Sequence, residues 1–187
     1  MTTGYQIKNQ EGAYFLTLQV VGWIDIFTRQ KYRDIIIQNL KYCQEHKGLS
    51  IFGYVIMSNH LHILVQSQTG TLSNTIRDFK SYTSKVILST VENEMESRKE
   101  WMINYFEHAA QAHERNRNYQ FWTHENHAEH IYSDKFIRQK LNYIHMNPVR
   151  AGIVRKPEEY IYSSASNYAG LESIIDVIIL TTKWITF

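Results

Sequence analysis

The chain has 187 residues, of which 43% are hydrophobic, and this composition predicts one globular domain spanning residues 1–187. The formal net charge is only +2, which excludes an overall field that attracts polyanions, so any nucleic-acid surface has to be a local patch. A single cysteine excludes a disulfide framework and a thiolate zinc cluster. The apolar runs are too short to cross a bilayer, and the start of the chain lacks a signal-peptide core, so we expect a cytoplasmic protein with no membrane partner.

The first third of the chain predicts a strand, a helix and two further strands. Residues 13–22 are rich in β-formers and predict the first strand, whereas residues 25–45 carry apolar side chains at helical intervals. Gly48 is placed to end that helix. Residues 51–57 and 60–66 predict the second and third strands, which a short turn joins.

The rest of the chain predicts mainly helices. A second helix begins after Thr71, and the polar stretch 92–118 predicts one or two inserted helices to which the sequence gives no role. Residues 119–122 predict a fourth strand. Ser133 is a good N-cap for a last long helix, which we expect to end near Asn147 because the next residue is a proline.

This order of strands and helices is typical of a ferredoxin-like α+β sandwich with an antiparallel sheet. Such a sheet is expected to carry helices on one face and to leave the other face for function. The helices beyond the sandwich include the one that begins at Ser133.

Two histidines occur one residue apart in the third predicted strand. Residues i and i+2 of a strand point to the same face, so His60 and His62 are expected to lie side by side. Neutral imidazole is a common metal ligand, and two of them on one rigid strand can bind one divalent cation. The pair is therefore a candidate metal site.

The last long helix carries a stripe of four side chains beside its apolar face. Phe136, Lys140, Tyr143 and Asn147 follow one another at helical spacing, which places a phenol and an amide one turn apart. If this side packs over the histidine strand, the amide oxygen of Asn147 and a substrate phosphate complete an open site for Mg²⁺ or Mn²⁺. Tyr143 can then attack the phosphorus of a DNA strand, while Lys140 contacts a phosphate.

Two segments resemble the IS200-type tyrosine transposases, and more closely the REP-associated tyrosine transposases. They are Val55-Ile-Met-Ser-Asn-His-Leu-His-Ile-Leu-Val65, with the His-hydrophobic-His (HUH) motif, and Leu141-Asn-Tyr-Ile-His-Met-Asn-Pro-Val-Arg-Ala-Gly152. The resemblance extends over roughly residues 10–170. It implies a metal-dependent single-stranded DNA endonuclease and strand transferase that acts on hairpin DNA through a 5′-phosphotyrosine and associates with the nucleoid. It also implies that His60 and His62 are metal ligands, that Tyr143 is the nucleophile and that Asn147 lies near the metal.

The family includes domain-swapped dimers as well as monomers, so a homodimer with an active site formed in trans stays open at this point. So does a domesticated or catalytically silent protein that binds DNA hairpins. A hydrolase with a second metal site at His124, His127 and His130, which recur every three residues, is a further alternative.

Other residues are candidates for secondary roles. Arg77, Lys80 and Lys85 form a basic surface on the second helix, and this surface is our first candidate for phosphate contacts. Tyr82, on the same helix, is the rival nucleophile. His145 is expected to be a surface residue.

Overall fold

A computed structural model of the chain describes residues 6–112 and 118–181. Within these residues, four strands form one antiparallel sheet in the order β2-β3-β1-β4, which confirms the predicted ferredoxin-like α+β fold. The strands are β1 (Tyr14–Gln19), β2 (Leu49–Ile56), β3 (His60–Ser67) and β4 (Glu129–His130). The helices are α1 (Gln30–Lys47), α2 (Leu72–Asn93), α3 (Lys99–Gln111), α4 (Asp134–Arg150) and α5 (Ala165–Tyr168). None of the described helices is long and apolar enough to cross a membrane.

Helices cover both faces of the sheet at β2. Every residue of β2 is buried, because α1 packs against one face of this strand and α4 packs against the other. A Cβ atom at Gly53 would lie 2.7 Å from Leu141 Cδ2, so the glycine allows α4 to approach the sheet closely. The second face is therefore partly covered by the helix that carries Tyr143.

The first helix begins later than the sequence predicts. Residues 21–23 and 26–28 form short 3₁₀ turns, and Arg29 has an extended backbone, so α1 begins at Gln30 rather than at residue 25. Its end is as predicted, because Gly48 adopts a left-handed conformation and its N–H donates to the carbonyl of Cys43.

The prediction of a fourth strand at residues 119–122 was wrong. Within this segment only Trp122 forms a bridge, to Val20 just after β1, and the regular pairing with β1 occurs later at β4. The chain between them still follows the edge of β1, since Thr123 N donates to Gln19 O at 2.8 Å. The segment 118–126 is thus an irregular edge that lacks a continuous ladder of hydrogen bonds.

The last long helix begins as predicted and ends one turn later. The hydroxyl of Ser133 accepts a hydrogen bond from Phe136 N, as an N-cap does. Pro148 lies inside α4, which continues to Arg150. Burial of Ile144 and His145 against the core outweighs the preference of the residue before a proline for an extended backbone. The expectation that His145 lies on the surface was therefore wrong.

The inserted stretch forms helical structure, as predicted. The second helix extends to Asn93, and α3 follows after a short connection. Residues 113–117, at the end of the stretch, lie outside the described residues.

Candidate active site

His60 and His62 lie side by side on β3, as the alternation of a strand predicts. Their ring centroids are 4.6 Å apart. The neighbouring β1 pairs Gln19 with His60 and Thr17 with His62, and Thr17 Oγ1 lies 2.9 Å from His62 Nδ1. The sheet register therefore supplies a hydroxyl that fixes the orientation of the second imidazole.

Burial keeps both histidines neutral at physiological pH. It lowers the pKa of His60, and it lowers the pKa of His62 to about 3, with smaller contributions from His60 and from the ammonium group of Lys140. A neutral imidazole is the form that binds a metal ion. The electrostatic environment therefore suits a ligand pair.

The unused nitrogen atoms of the pair fit a divalent cation. His62 Nε2 is buried and has no hydrogen-bond partner, while Thr17 satisfies its Nδ1. His60 Nδ1 donates to Asn59 Oδ1 at 2.6 Å, which leaves the lone pair on its Nε2. No group of three or more His, Cys, Asp or Glu side chains in the described ranges has the geometry of a metal site. Any further ligands would have to be amide, water or phosphate oxygens, as a hard cation prefers.

Tyr143 contacts His62, one member of this pair, within the same chain. Its ring centroid is 5.0 Å from that of His62 and 6.0 Å from that of Phe15, with edge-to-face geometry in both contacts. The tyrosine is 38% exposed, so this side of the histidine pair is open to solvent. The structure thus brings together the phenol and the two imidazoles that the sequence places far apart.

Asn147 lies one turn after Tyr143, as predicted, but its position as a ligand stays a prediction. Its Nδ2 donates to the backbone carbonyl of Tyr143 at 3.2 Å. This bond leaves the amide oxygen available. The hydrogen bonds of Asn147 within the described chain do not reach either histidine.

Lys140 lies at the site, held by a carboxylate that sequence reasoning missed. Its Nζ is 2.5 Å from Glu129 Oε1 and 4.3 Å from the ring centroid of Phe15. Glu129 pairs with Phe15 across β1 and β4, so both side chains reach the same face. Because the fourth strand was predicted at residues 119–122, Glu129 was not predicted as a neighbour of Lys140.

Comparisons with known proteins fit this arrangement. The profile of the family described as "Transposase IS200 like" matches residues 24–119, about half of the chain. The chain belongs to this family. The matched range includes both histidines and ends before Tyr143, so the role of Tyr143 as the nucleophile stays a prediction.

A solved structure shares the fold of this IS200-like transposase. It is that of a REP-associated tyrosine transposase bound to a REP hairpin, with 18% identity and a TM-score of 0.59, and the match covers 97% of this chain and 96% of the other. A comparison with curated proteins gave no significant match.

The three basic residues of α2 that are predicted to bind DNA lie in different surroundings. Arg77 and Lys80 line a cavity of about 330 Å³ between α2 and the irregular edge, whereas Lys85 is exposed. Lys80 Nζ donates to Thr123 O and to Asn126 Oδ1, each at 2.7 Å, and burial lowers its pKa to about 8. Lys80 of this transposase thus anchors the edge of the sheet to α2.

The rival sites lack the geometry that they need. Tyr82 is 56% exposed and lines a groove of about 510 Å³ between α1 and α2, on the helical layer opposite α4. Within the described chain it has no contact with His60 or His62. His124 and His127 lie in irregular chain and His130 lies on β4, so the three residues do not share a helix on which their spacing would place them on one side.

Proposed function

We propose that this transposase is a divalent-metal-dependent, single-stranded DNA endonuclease and strand transferase with Tyr143 as its nucleophile. The observation that carries the proposal is the 5.0 Å separation of the Tyr143 and His62 rings, beside a buried imidazole nitrogen without a partner. The family match supports a reaction on DNA. One chain supplies all of these groups, which favours an active site formed in cis, so a homodimer is not needed for cleavage.

The chemistry follows from the side chains. The Tyr143 oxygen attacks the phosphorus of a DNA strand and loses its proton to solvent, the bond to the 3′ oxygen breaks, and that oxygen takes up a proton. The resulting 5′-phosphotyrosine retains the energy of the ester, so attack by a 3′-hydroxyl reverses the step and joins strands without ATP. A Mg²⁺ or Mn²⁺ ion held by His60 and His62, with Asn147 as the proposed third ligand, would neutralise charge at the scissile phosphate.

We infer that the substrate is single-stranded DNA that carries a hairpin. The support is the shared fold with a transposase whose structure contains a REP hairpin. Unpaired bases would stack on aromatic side chains, and backbone contacts from Lys140, Arg77 and Lys85 would make binding sensitive to salt.

A covalent-adduct assay tests the proposal. The protein is incubated with a labelled pool of hairpin oligonucleotides that have randomised single-stranded flanks, in Mg²⁺, in Mn²⁺ or in EDTA. A labelled band that survives denaturing electrophoresis and requires the metal is the expected result. Binding of the pool without any adduct in either metal would overturn the proposal in favour of a silent hairpin-binding protein.

A further inference from the structure

An exposed tryptophan lies beside the histidine pair. Trp23 is 61% exposed, and its ring centroid lies 6.2 Å from that of His60 in an edge-to-face arrangement. Its backbone has a positive φ of 57°, a conformation that a bulky residue rarely adopts. The side chain is therefore held out into solvent at a cost to stability, and such strain concentrates at functional sites.

The fold holds the turn that carries Trp23 in place. Val20 N donates to Asn59 O and Phe27 N donates to Ser58 O, each at 2.9 Å, so residues 20–27 lie against the turn between β2 and β3. Gly22 has a φ of 64°, and a Cβ atom there would lie 2.3 Å from the Tyr105 hydroxyl. Any other residue at this position would be strained by the positive φ and would displace the Tyr105 side chain.

One side chain connects the tryptophan to the proposed metal ligand. Asn59 Nδ2 donates to Trp23 O at 3.2 Å, while Asn59 Oδ1 accepts from His60 Nδ1 at 2.6 Å. The same amide thus positions the turn and keeps the lone pair of His60 on Nε2. Asn59 therefore links the backbone of Trp23 to the imidazole of His60.

The segment between α2 and α3, which sequence reasoning could not interpret, supports the same turn. Arg98 forms an ion pair with Asp25 at 3.1 Å and with the buried Glu96 at 3.1 Å. Glu96 also binds Arg29 at 2.9 Å. These contacts fix the chain that leaves the Trp23 turn, and Tyr105 of α3 packs against Gly22 from another side.

We propose that Trp23 is a stacking platform for an unpaired base next to the scissile phosphate. Tyr143 lies at His62 and Trp23 lies at His60, so a strand whose phosphate sits at the pair carries a neighbouring base to the indole ring. Every base has a π-face, so this contact tolerates any sequence and discriminates unpaired bases from a bare backbone. The inference rests on the proposed function and assigns a substrate subsite to the same active site.

The experiment compares base-bearing and abasic strands. In a Tyr143→Phe background, fluorescence anisotropy gives the Kd for labelled oligodeoxyadenosine and for an abasic tetrahydrofuran strand, both of about twenty nucleotides. We expect Trp23→Leu and Trp23→Ala to reduce the preference for the base-bearing strand by about tenfold, and Trp23→Phe to retain most of it. Trp101→Ala, which removes a tryptophan on α3 that is 47% exposed, is the matched control and is expected to leave the preference unchanged.

The outcomes separate this inference from the proposed function. An unchanged preference in Trp23→Leu, with the fold verified by circular dichroism, overturns the inference even if the wild-type protein forms the adduct. A lost preference without any adduct from the wild-type protein overturns the proposed function and leaves the base platform in place. If Trp101→Ala loses the preference to the same extent, the contribution is not specific to Trp23 and the inference falls.

Discussion

Tyr143 and His62 face each other across the boundary between α4 and β3, with ring centroids 5.0 Å apart. The contact depends on how closely α4 approaches the sheet. Leu141 and Ile144 of the same helix pack over Gly53, the residue without a side chain in β2. The position of Tyr143 on α4 is thus linked to Gly53 of β2.

Gly53→Ala is expected to reduce cleavage more than it reduces DNA binding. The new Cβ would lie 2.7 Å from Leu141 Cδ2, so the buried Leu141 side chain has to move, and a shift of α4 that relieves the contact carries Tyr143 with it. We expect a loss of about 1–3 kcal/mol in the free energy of unfolding, measured in urea, and a slower rate of adduct formation. Adding Leu141→Ala provides space for the Cβ, so the two losses should be less than additive. Strict additivity would contradict the proposed contact.

His62→Ala is expected to abolish metal-dependent cleavage and to weaken Mn²⁺ binding, measured by electron paramagnetic resonance. Thr17→Val, which removes only the partner of His62 Nδ1, should weaken Mn²⁺ binding by roughly tenfold. His130→Ala is the control, because His130 lies on β4 and packs against Tyr14 of β1. Loss of Mn²⁺ binding in His130→Ala but not in His62→Ala would contradict the proposal and would indicate that the metal binds at the edge of the sheet.

Lys80→Met is expected to change the stability of the fold, whereas Lys85→Ala is expected to change DNA binding. The hydrogen bonds of Lys80 to Thr123 and Asn126 tie α2 to the sheet edge, so its loss should cost roughly 1.5–3 kcal/mol of stability. Lys85 is exposed, so its loss should leave stability within about 0.5 kcal/mol and lower the salt dependence of DNA binding. Thermal unfolding and binding at several salt concentrations measure both effects. Weaker DNA binding in Lys80→Met without a loss of stability would show that its main role is phosphate contact.

His145 is expected to make the fold sensitive to acid. It is buried with Nε2 2.9 Å from Ser164 Oγ, and burial lowers its pKa from 6.5 to about 4. Between these values the unfolded chain binds a proton that the folded chain does not, so stability is full above about pH 6.5 and falls as the pH falls, by about 3 kcal/mol in total.

His145→Gln should remove this share of the pH dependence in urea unfolding, whereas His46→Gln, at an exposed position on α1, serves as the control. His62 contributes to the same slope in the wild type and in both variants, so the difference between the curves isolates His145. Parallel curves for His145→Gln and the wild type would contradict the account.

The parts of the fold that follow from local periodicity could be predicted. The alternation of β3 placed His60 and His62 on one face, and Ser133 marked the beginning of α4 through its capping hydroxyl. The parts that depend on tertiary contacts could not. Irregular backbone bonds hold residues 118–126 at the edge of β1, and packing extends α4 past Pro148.

The site was predictable where a strand or a helical stripe carries it. Trp23 gave no such signal, because it lies in an irregular turn that is fixed by Asn59 and by Tyr105 of the inserted segment. Glu129 was missed for a related reason, since its relation to Lys140 depends on where the edge strand pairs.

Peptide mapping of the covalent adduct tests the central claim most directly. Trypsin releases Tyr143 within Leu141–Arg150 and Tyr82 within Ser81–Lys85, and each peptide contains one tyrosine. We predict that mass spectrometry finds the nucleotide on Leu141–Arg150 and that Tyr143→Phe forms no adduct while it still binds the hairpin. A nucleotide on Ser81–Lys85, or an adduct that persists in Tyr143→Phe, would contradict the assignment of Tyr143 as the nucleophile.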